Sequence, residues 1–385
     1  LTKGYPAMFP EIKSLLKCFY FVLLLCSFAL VFHEQEKGID LKYYAVLAAI
    51  YMFTIIIAIL SRTDFTSYGH GKQGSSGWFY AANETGSIIG ILFPVFISYV
   101  IVSLKRFRIF KLLAGLVAIA LYIGVAFNIG TKVPMLSVLL TLGGLFILGI
   151  IRVFISEEKK RYLMQAACTL IALAITVAVV PFTAAGINLE THLHRVNLQG
   201  YRDFFNISPS DEQEDTTSNN EDAQNNEDAQ NGEQTNNEAQ EKPDRKNVIY
   251  SSRDIYLAQT KEIYKASPVI QKIMGIGYVY MKDGTAVQYN NVELDFYDVF
   301  FRFGAIGFIV YFAPVIVVIL LALIKILRRL KKYLLNEVII GLAFGLLLSL
   351  AIGYISGHVF TAPAVSIYPA IYLAVLLNAP KSLLE

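Results

Sequence analysis

Charge is scarce in this sequence. Only 16% of its 385 residues are Asp, Glu, Lys or Arg, against about 25% in an ordinary soluble domain. Hydrophobic residues make up 55%. That balance excludes a soluble globular enzyme and a nucleic-acid-binding module. Cysteine is scarcer still. Cys18, Cys26 and Cys168 all fall inside apolar runs, which excludes a disulfide-stapled secreted domain and leaves them packing roles. The signatures of nucleotide and hydrolase chemistry are missing: no Walker A motif, no GxGxxG after a strand, no GxSxG and no HExxH. No cytoplasmic segment is large enough to bind a nucleotide. Any chemistry must draw its energy from a substrate already activated in the membrane. A charged-then-apolar leader is lacking too, and the first residue is Leu, so the chain reads as the C-terminal part of a longer protein.

What is present is a series of long apolar runs. Such runs cross a bilayer only as helices, because every backbone polar group must be satisfied within the segment. The runs predict nine spans, at 15–32, 43–60, 86–103, 112–127, 133–151, 163–181, 301–324, 338–355 and 360–378. The fold class is therefore an all-α polytopic membrane protein. It divides into six N-terminal spans (1–181), a large loop (182–298) and three C-terminal spans (299–385).

The formal net charge of +3 hides an asymmetry. Residues 210–244 hold twelve acids and one base, Lys242; the rest carries thirty-two basic against eighteen acidic residues, or +14. The short loops 104–111, 152–162 and 325–332 hold most of the excess: Lys105, Arg106, Arg108 and Lys111; Arg152, Lys159, Lys160 and Arg161; Lys325, Arg328, Arg329, Lys331 and Lys332. The intervening loops carry only Arg62, Lys72 and Lys132. The first set is cytoplasmic by the positive-inside rule and the large loop external. Within that loop, 208–246 repeats Asn-Asn-Glu-Asp-Ala-Gln at 219–224 and 225–230. It lacks the apolar residues that offset ordering entropy and is expected to be disordered. Ser251 and Asp254 signal a helix start, and Pro268 stops that helix.

Candidate chemistry collects on the external side. Arg253 opens the loop helix, where a guanidinium and helix N-terminal donors suit an anion. Lys132 is the sole charge of its turn, able to snorkel to headgroups or hold a phosphate. Glu293, Asp295 and Asp298 precede the seventh span; carboxylates there are general-base candidates or helix caps. The entry to the third span, Lys72 to Gly86, holds an aromatic belt (Trp78, Phe79, Tyr80), with Asn83 and Glu84 capping the helix or lining a polar cavity. His192 and His194 alternate without a supporting cluster, so no metal site is read there, and His358 is read as structural.

Taken in order, these segments resemble the O-antigen ligase and polysaccharide polymerase superfamily (Wzy-type polymerases and lipopolysaccharide ligases). The family's Gly-Phe-Asn helix entry is similar to Gly77-Trp-Phe-Tyr-Ala-Ala-Asn83, and its Ser-Arg turn to Thr131-Lys132. Its loop, with an Arg-led helix and a closing His-Pro-x-x-Gly-x-Gly turn, is similar to Arg253-Asp-Ile-Tyr256 through Ser267-Pro-Val-Ile-Gln-Lys-Ile-Met-Gly-Ile-Gly277. Its last motif is similar to Glu293-Leu-Asp-Phe-Tyr-Asp298 followed by Gly304-Ala-Ile-Gly307. The resemblance covers the chain from about residue 62 onward. Two positions depart from the ligases, which usually have His at Glu293 and Arg at Lys132; both favour a polymerase. The Asn- and Lys-rich composition hints at a low-GC Gram-positive source.

The resemblance implies a GT-C-like fold in the bacterial cytoplasmic membrane and an inverting, metal-independent glycosyltransferase without cofactors. Its partners would be an undecaprenyl-pyrophosphate-linked glycan, an acceptor glycan, membrane lipids and other polysaccharide-assembly proteins, with no nucleic acid. Arg253, Lys132 and Lys72 would hold the pyrophosphate. Glu293 is the first choice of base, with Asp295 and then Asp298 behind it, and an ionised Glu293 needs a cation such as Arg253 within a few ångströms. The alternative is a lipid-linked oligosaccharide flippase, which would more often carry charges within spans and show two similar halves; here the spans are nearly charge-free and no internal repeat is visible.

Overall fold

A computed structural model describes residues 5–34, 40–68, 72–103, 109–191, 193, 253–282, 285–289 and 292–378. The acidic repeat, Ser251, His192 and His194 lie outside them. The apolar runs form helices α1 (Tyr5–Glu34), α2 (Leu41–Leu60), α3 (Ala82–Ser103), α4 (Ile109–Asn128), α5 (Lys132–Ile155) and α6 (Lys159–Val179). The loop contributes α7 (Arg253–Ala266) and α8 (Val269–Met274). The C-terminal part forms α9 (Asp295–Arg328), α10 (Leu330–Leu335), α11 (Glu337–Ile355) and α12 (Pro363–Leu377). Two antiparallel pairs, β1 (Phe65–Thr66) with β2 (Ser75–Gly77) and β3 (Val279–Lys282) with β4 (Thr285–Gln288), were not foreseen in the sequence.

Among the described residues, eight helices are long and apolar enough to cross a membrane. The ninth expected span is the 15-residue α12. At 1.5 Å per residue it reaches about 22 Å, short of the ~30 Å hydrocarbon core. It is mostly buried by its neighbours and packs on α1, α9 and α11.

The most buried span is α3, which packs on α2, α5 and α11. Small residues allow the approach. Gly86 and Gly90 face Thr131, Pro134 and Ser137 of the α5 segment, while Gly341 and Gly345 of α11 face Ser98 and the Ile91 carbonyl of α3. Without a hydrophobic drive between helices in lipid, such close backbone packing holds spans together.

Three helices depart most from the expected boundaries. The first begins at Tyr5 rather than 15. The seventh begins at Asp295 rather than 301 and breaks at Gly304, whose φ of 67° and ψ of −171° are non-helical. The break frees the carbonyls of Phe301 and Arg302. The 275–277 turn takes them up, Ile276 N donating to Phe301 O (3.0 Å) and Gly277 N to Arg302 O (3.1 Å). Gly275 and Gly304 lie back to back with no space for a side chain at either. The two glycine motifs, 29 residues apart in the chain, are thus one structural joint. At the opposite end, Arg152 does not lie in the cytoplasmic loop expected for it. It is instead fully buried in an extended α5, paired with Glu337 at 2.8 Å.

Candidate functional site

The segments between spans gather at one end of the bundle, here called the loop end. Asn188 staples two of them. Its amide donates to Gln73 O (2.5 Å) and Gly130 O (2.9 Å) and accepts from Gln73 N (2.8 Å). The stretch carrying Lys72 is thereby fixed against the turn before Lys132, the first residue of α5. Burial weighs most on the Lys132 ammonium, and the charges of Lys72 and Arg253 also reach it. Lys72 also sits 4.8 Å from the Tyr68 ring centre.

Arg253, the first residue of α7, is buried and places Nε 3.1 Å from Glu293 Oε2. His358, from the turn between α11 and α12, approaches the same oxygen with Nε2 at 3.5 Å. Glu293 is thus flanked by a permanent cation and a titratable one. The close approach of the His358 imidazole lowers its pKa below the ordinary carboxylate value; burial opposes this, and the charges of His358 and Arg253 add to it. Burial works against a charged His358, but the nearby Glu293 carboxylate outweighs it and raises its pKa above the usual 6.5.

The backbone at this pair is unusual. Glu293 (φ 57°) and His358 (φ 60°) are both left-handed non-glycine residues, a conformation that costs about 1–3 kcal/mol and concentrates at functional sites. Gly357 makes the turn fit, because a side chain there would strike the Glu293 carbonyl.

The three carboxylates are not equivalent. Asp295 is 1% exposed and accepts from His358 N (3.0 Å), Val359 N (2.9 Å), Phe360 N (2.8 Å) and Thr361 Oγ1 (2.6 Å). It grips the turn that presents His358. Asp298 pairs with Arg302 at 3.3 Å. Arg302 in turn donates to Gly277 O (3.1 Å) and lies over the rings of Tyr278 and Tyr289. Glu293 alone of the three is partly open, its side chain 37% exposed.

All three carboxylates line a cavity of about 250 Å³, together with His358, Glu84, Thr361, Tyr278 and Gln288. Asn83, one residue before Glu84, is exposed and is not among the lining residues. The fourth wall comes from α1, read in the sequence as a plain span. Ser14, Lys17 and Cys18 line the cavity, and Glu11 accepts from the backbone N–H groups of Tyr278 and Val279 at 3.0–3.2 Å. His358, expected to be structural, stands against Glu293, and neither Asn188 nor Glu11 belongs to a motif in the sequence. The signal existed for α1, where Glu11, Ser14, Lys17 and Cys18 fall at helical i, i+3, i+4 spacing. For His358 it was a lone titratable group in a short turn between two spans.

Helices of this length and composition, with polar chemistry confined to their ends, define a multi-pass membrane protein with a site at the bundle's loop end. A family model described as "O-antigen ligase like membrane protein" matches residues 1–381; the chain belongs to that family. No curated protein and no solved structure matches it. Membership points to a glycosyltransferase-like enzyme that ligates or polymerises glycans at a membrane and meets lipid-linked glycan and membrane lipid.

Proposed function

We propose that the protein transfers a glycan from an undecaprenyl-pyrophosphate carrier to a hydroxyl of an acceptor glycan at the outer face of the cytoplasmic membrane, as a polysaccharide polymerase. The observation that carries this reading is that Arg253 and His358 meet on one oxygen of Glu293, itself a residue of the cavity lining, while the charges of Lys72 and Arg253 reach Lys132.

In the proposed reaction, Glu293 takes the proton of the acceptor hydroxyl as its oxygen attacks the anomeric carbon. The bond from that carbon to the pyrophosphate oxygen breaks on the opposite face, giving inversion. The electron pair leaves with the carrier pyrophosphate, whose growing charge Arg253, Lys132 and Lys72 offset. Pyrophosphate is a good leaving group, so charge compensation by side chains replaces both an acid and a metal in this scheme. Glu293 can act only if it is ionised and open, and the neighbouring cations favour the ionised form. Asp295 is assigned a positioning role, holding the turn that carries His358, and Asp298 holds Arg302. Transfer is favoured over transport because the pairs described here sit at the two ends of the bundle, whereas a flippase would carry polar groups along the spans.

The test is substitution of Arg253. Arg253→Lys keeps the charge but loses the planar fork that pairs bidentately with phosphate oxygens. Transfer from a purified lipid-pyrophosphate donor should fall in Arg253→Lys and fall further in Arg253→Ala, with KM for the donor raised. Full activity in Arg253→Ala would show that the pyrophosphate is held elsewhere.

A further inference from the structure

Helix α8 carries its apolar residues on the wrong side for a solvated loop. Val269, Ile270, Ile273 and Met274 are 70%, 65%, 38% and 60% exposed. At 3.6 residues per turn they share an arc of about 140°, while Gln271 and Lys272 occupy the opposite face and are half-buried. Exposed apolar surface this dense requires a partner. Pro268 caps the helix and the Tyr264 hydroxyl donates to Lys272 O (2.7 Å), so its orientation is fixed by the fold.

Its height in the bilayer follows from α9. Gly275, just after α8, packs on the backbone of Arg302 and Phe303, and the Ile273 carbonyl lies against Gly304. The kink at Gly304 therefore shares its level with α8. From Ala305 to Ile324, α9 runs roughly 20 apolar residues, or ~30 Å, before Lys325 and Arg328. One hydrocarbon thickness measured from that basic end finishes at the kink. Immediately past it α9 exposes Ile306, Ile309 and Val310, so the outward face of α8 continues the lipid-facing surface of the span.

We infer that α8 is an interfacial helix whose Val269, Ile270, Ile273 and Met274 insert into the outer leaflet. Such a helix sits about 5–10 Å into the headgroup–acyl boundary. It fastens the α7–α8 segment to the membrane surface, beside the cavity where a lipid-borne substrate arrives. The inference concerns bilayer contact alone and stands or falls independently of the transfer reaction.

The chain's single tryptophan, Trp78, makes the test direct. In a Trp78→Phe background, Ile270→Trp and Met274→Trp each place a lone fluorophore on the exposed face of α8. Lys265→Trp, at an exposed position paired with Glu262 on α7, is the reference. The protein is reconstituted into vesicles of phosphatidylcholine with or without bromine on the acyl chains. Emission at positions 270 and 274 should drop roughly twofold in brominated lipid, with iodide in the buffer quenching it less than at 265, as the burial depth requires. Iodide quenching at 270 and 274 equal to that at 265, with no response to bromine, would overturn the inference. The two positions check each other should one substitution disturb folding.

Discussion

The two ends of the bundle each hold an arginine paired with a glutamate, and the pairs differ in every respect that matters for function. At the basic end Arg152 and Glu337 meet at 2.8 Å with side chains 0% and 1% exposed. Arg152 also donates to Leu334 O at 2.7 Å and lies over the Tyr162 ring. That pair ties α5 to α11 and is sealed from solvent. At the loop end Arg253 and Glu293 meet at 3.1 Å, but Glu293 is partly open, borders a cavity and shares its oxygen with His358. Its backbone is left-handed, as is that of His358, whereas Arg152 and Glu337 sit in ordinary helix. The same pairing chemistry thus serves two purposes. Where access is closed it joins helices; where access, strain and a titratable neighbour coincide, the proposed function has it meet a substrate.

The comparison can be broken most decisively at the sealed pair. Arg152→Ala leaves Glu337 buried without its cation, a loss on the order of 3–5 kcal/mol. Folded protein in detergent should drop sharply, whereas Arg152→Leu with Glu337→Leu should recover most of the thermal stability. A well-folded Arg152→Ala protein would remove the structural role given to that end.

A smaller effect is expected from pH. With the Glu293 pKa below its usual 4.5 and that of His358 above 6.5, both are charged across that interval. Their mutual stabilisation is complete there. It is lost as pH falls through the lowered Glu293 value or rises through the raised His358 value. His358→Gln removes the largest influence lowering the Glu293 pKa, so the acid limb of the activity profile should move to higher pH. An unmoved acid limb would separate His358 from the base.

The smallest effect belongs to the acidic repeat. Deleting 211–242, outside the described residues, removes a stretch with almost no apolar residues and a six-residue unit that occurs twice in tandem. Surface polymer should stay at the parental level at equal protein abundance.

The sequence made the bundle legible because apolar run length is a direct physical requirement of the bilayer. It could not set the limits of α12, whose 15 residues are covered by neighbouring helices rather than by lipid. The cations and carboxylates of the site were legible as residue types near spans. Their grouping was not, because it depends on contacts between distant segments. Asn188 joins residues 73 and 130, Asp295 reaches residues 358–361, and Gly275 meets Gly304. His358 was passed over for the same reason, since only the folded turn, made possible by Gly357, brings it to Glu293.

Glu293 is the proposed base of the loop-end site. Glu293→Gln keeps the shape and removes the basic oxygen. Measured in single turnover with a bound lipid-pyrophosphate donor, the transfer step should slow on the order of 10²-fold while donor affinity stays near the parental value. Parental rates in Glu293→Gln, with Asp295→Asn or Asp298→Asn inactive though folded, would contradict the account and move the base to one of those aspartates.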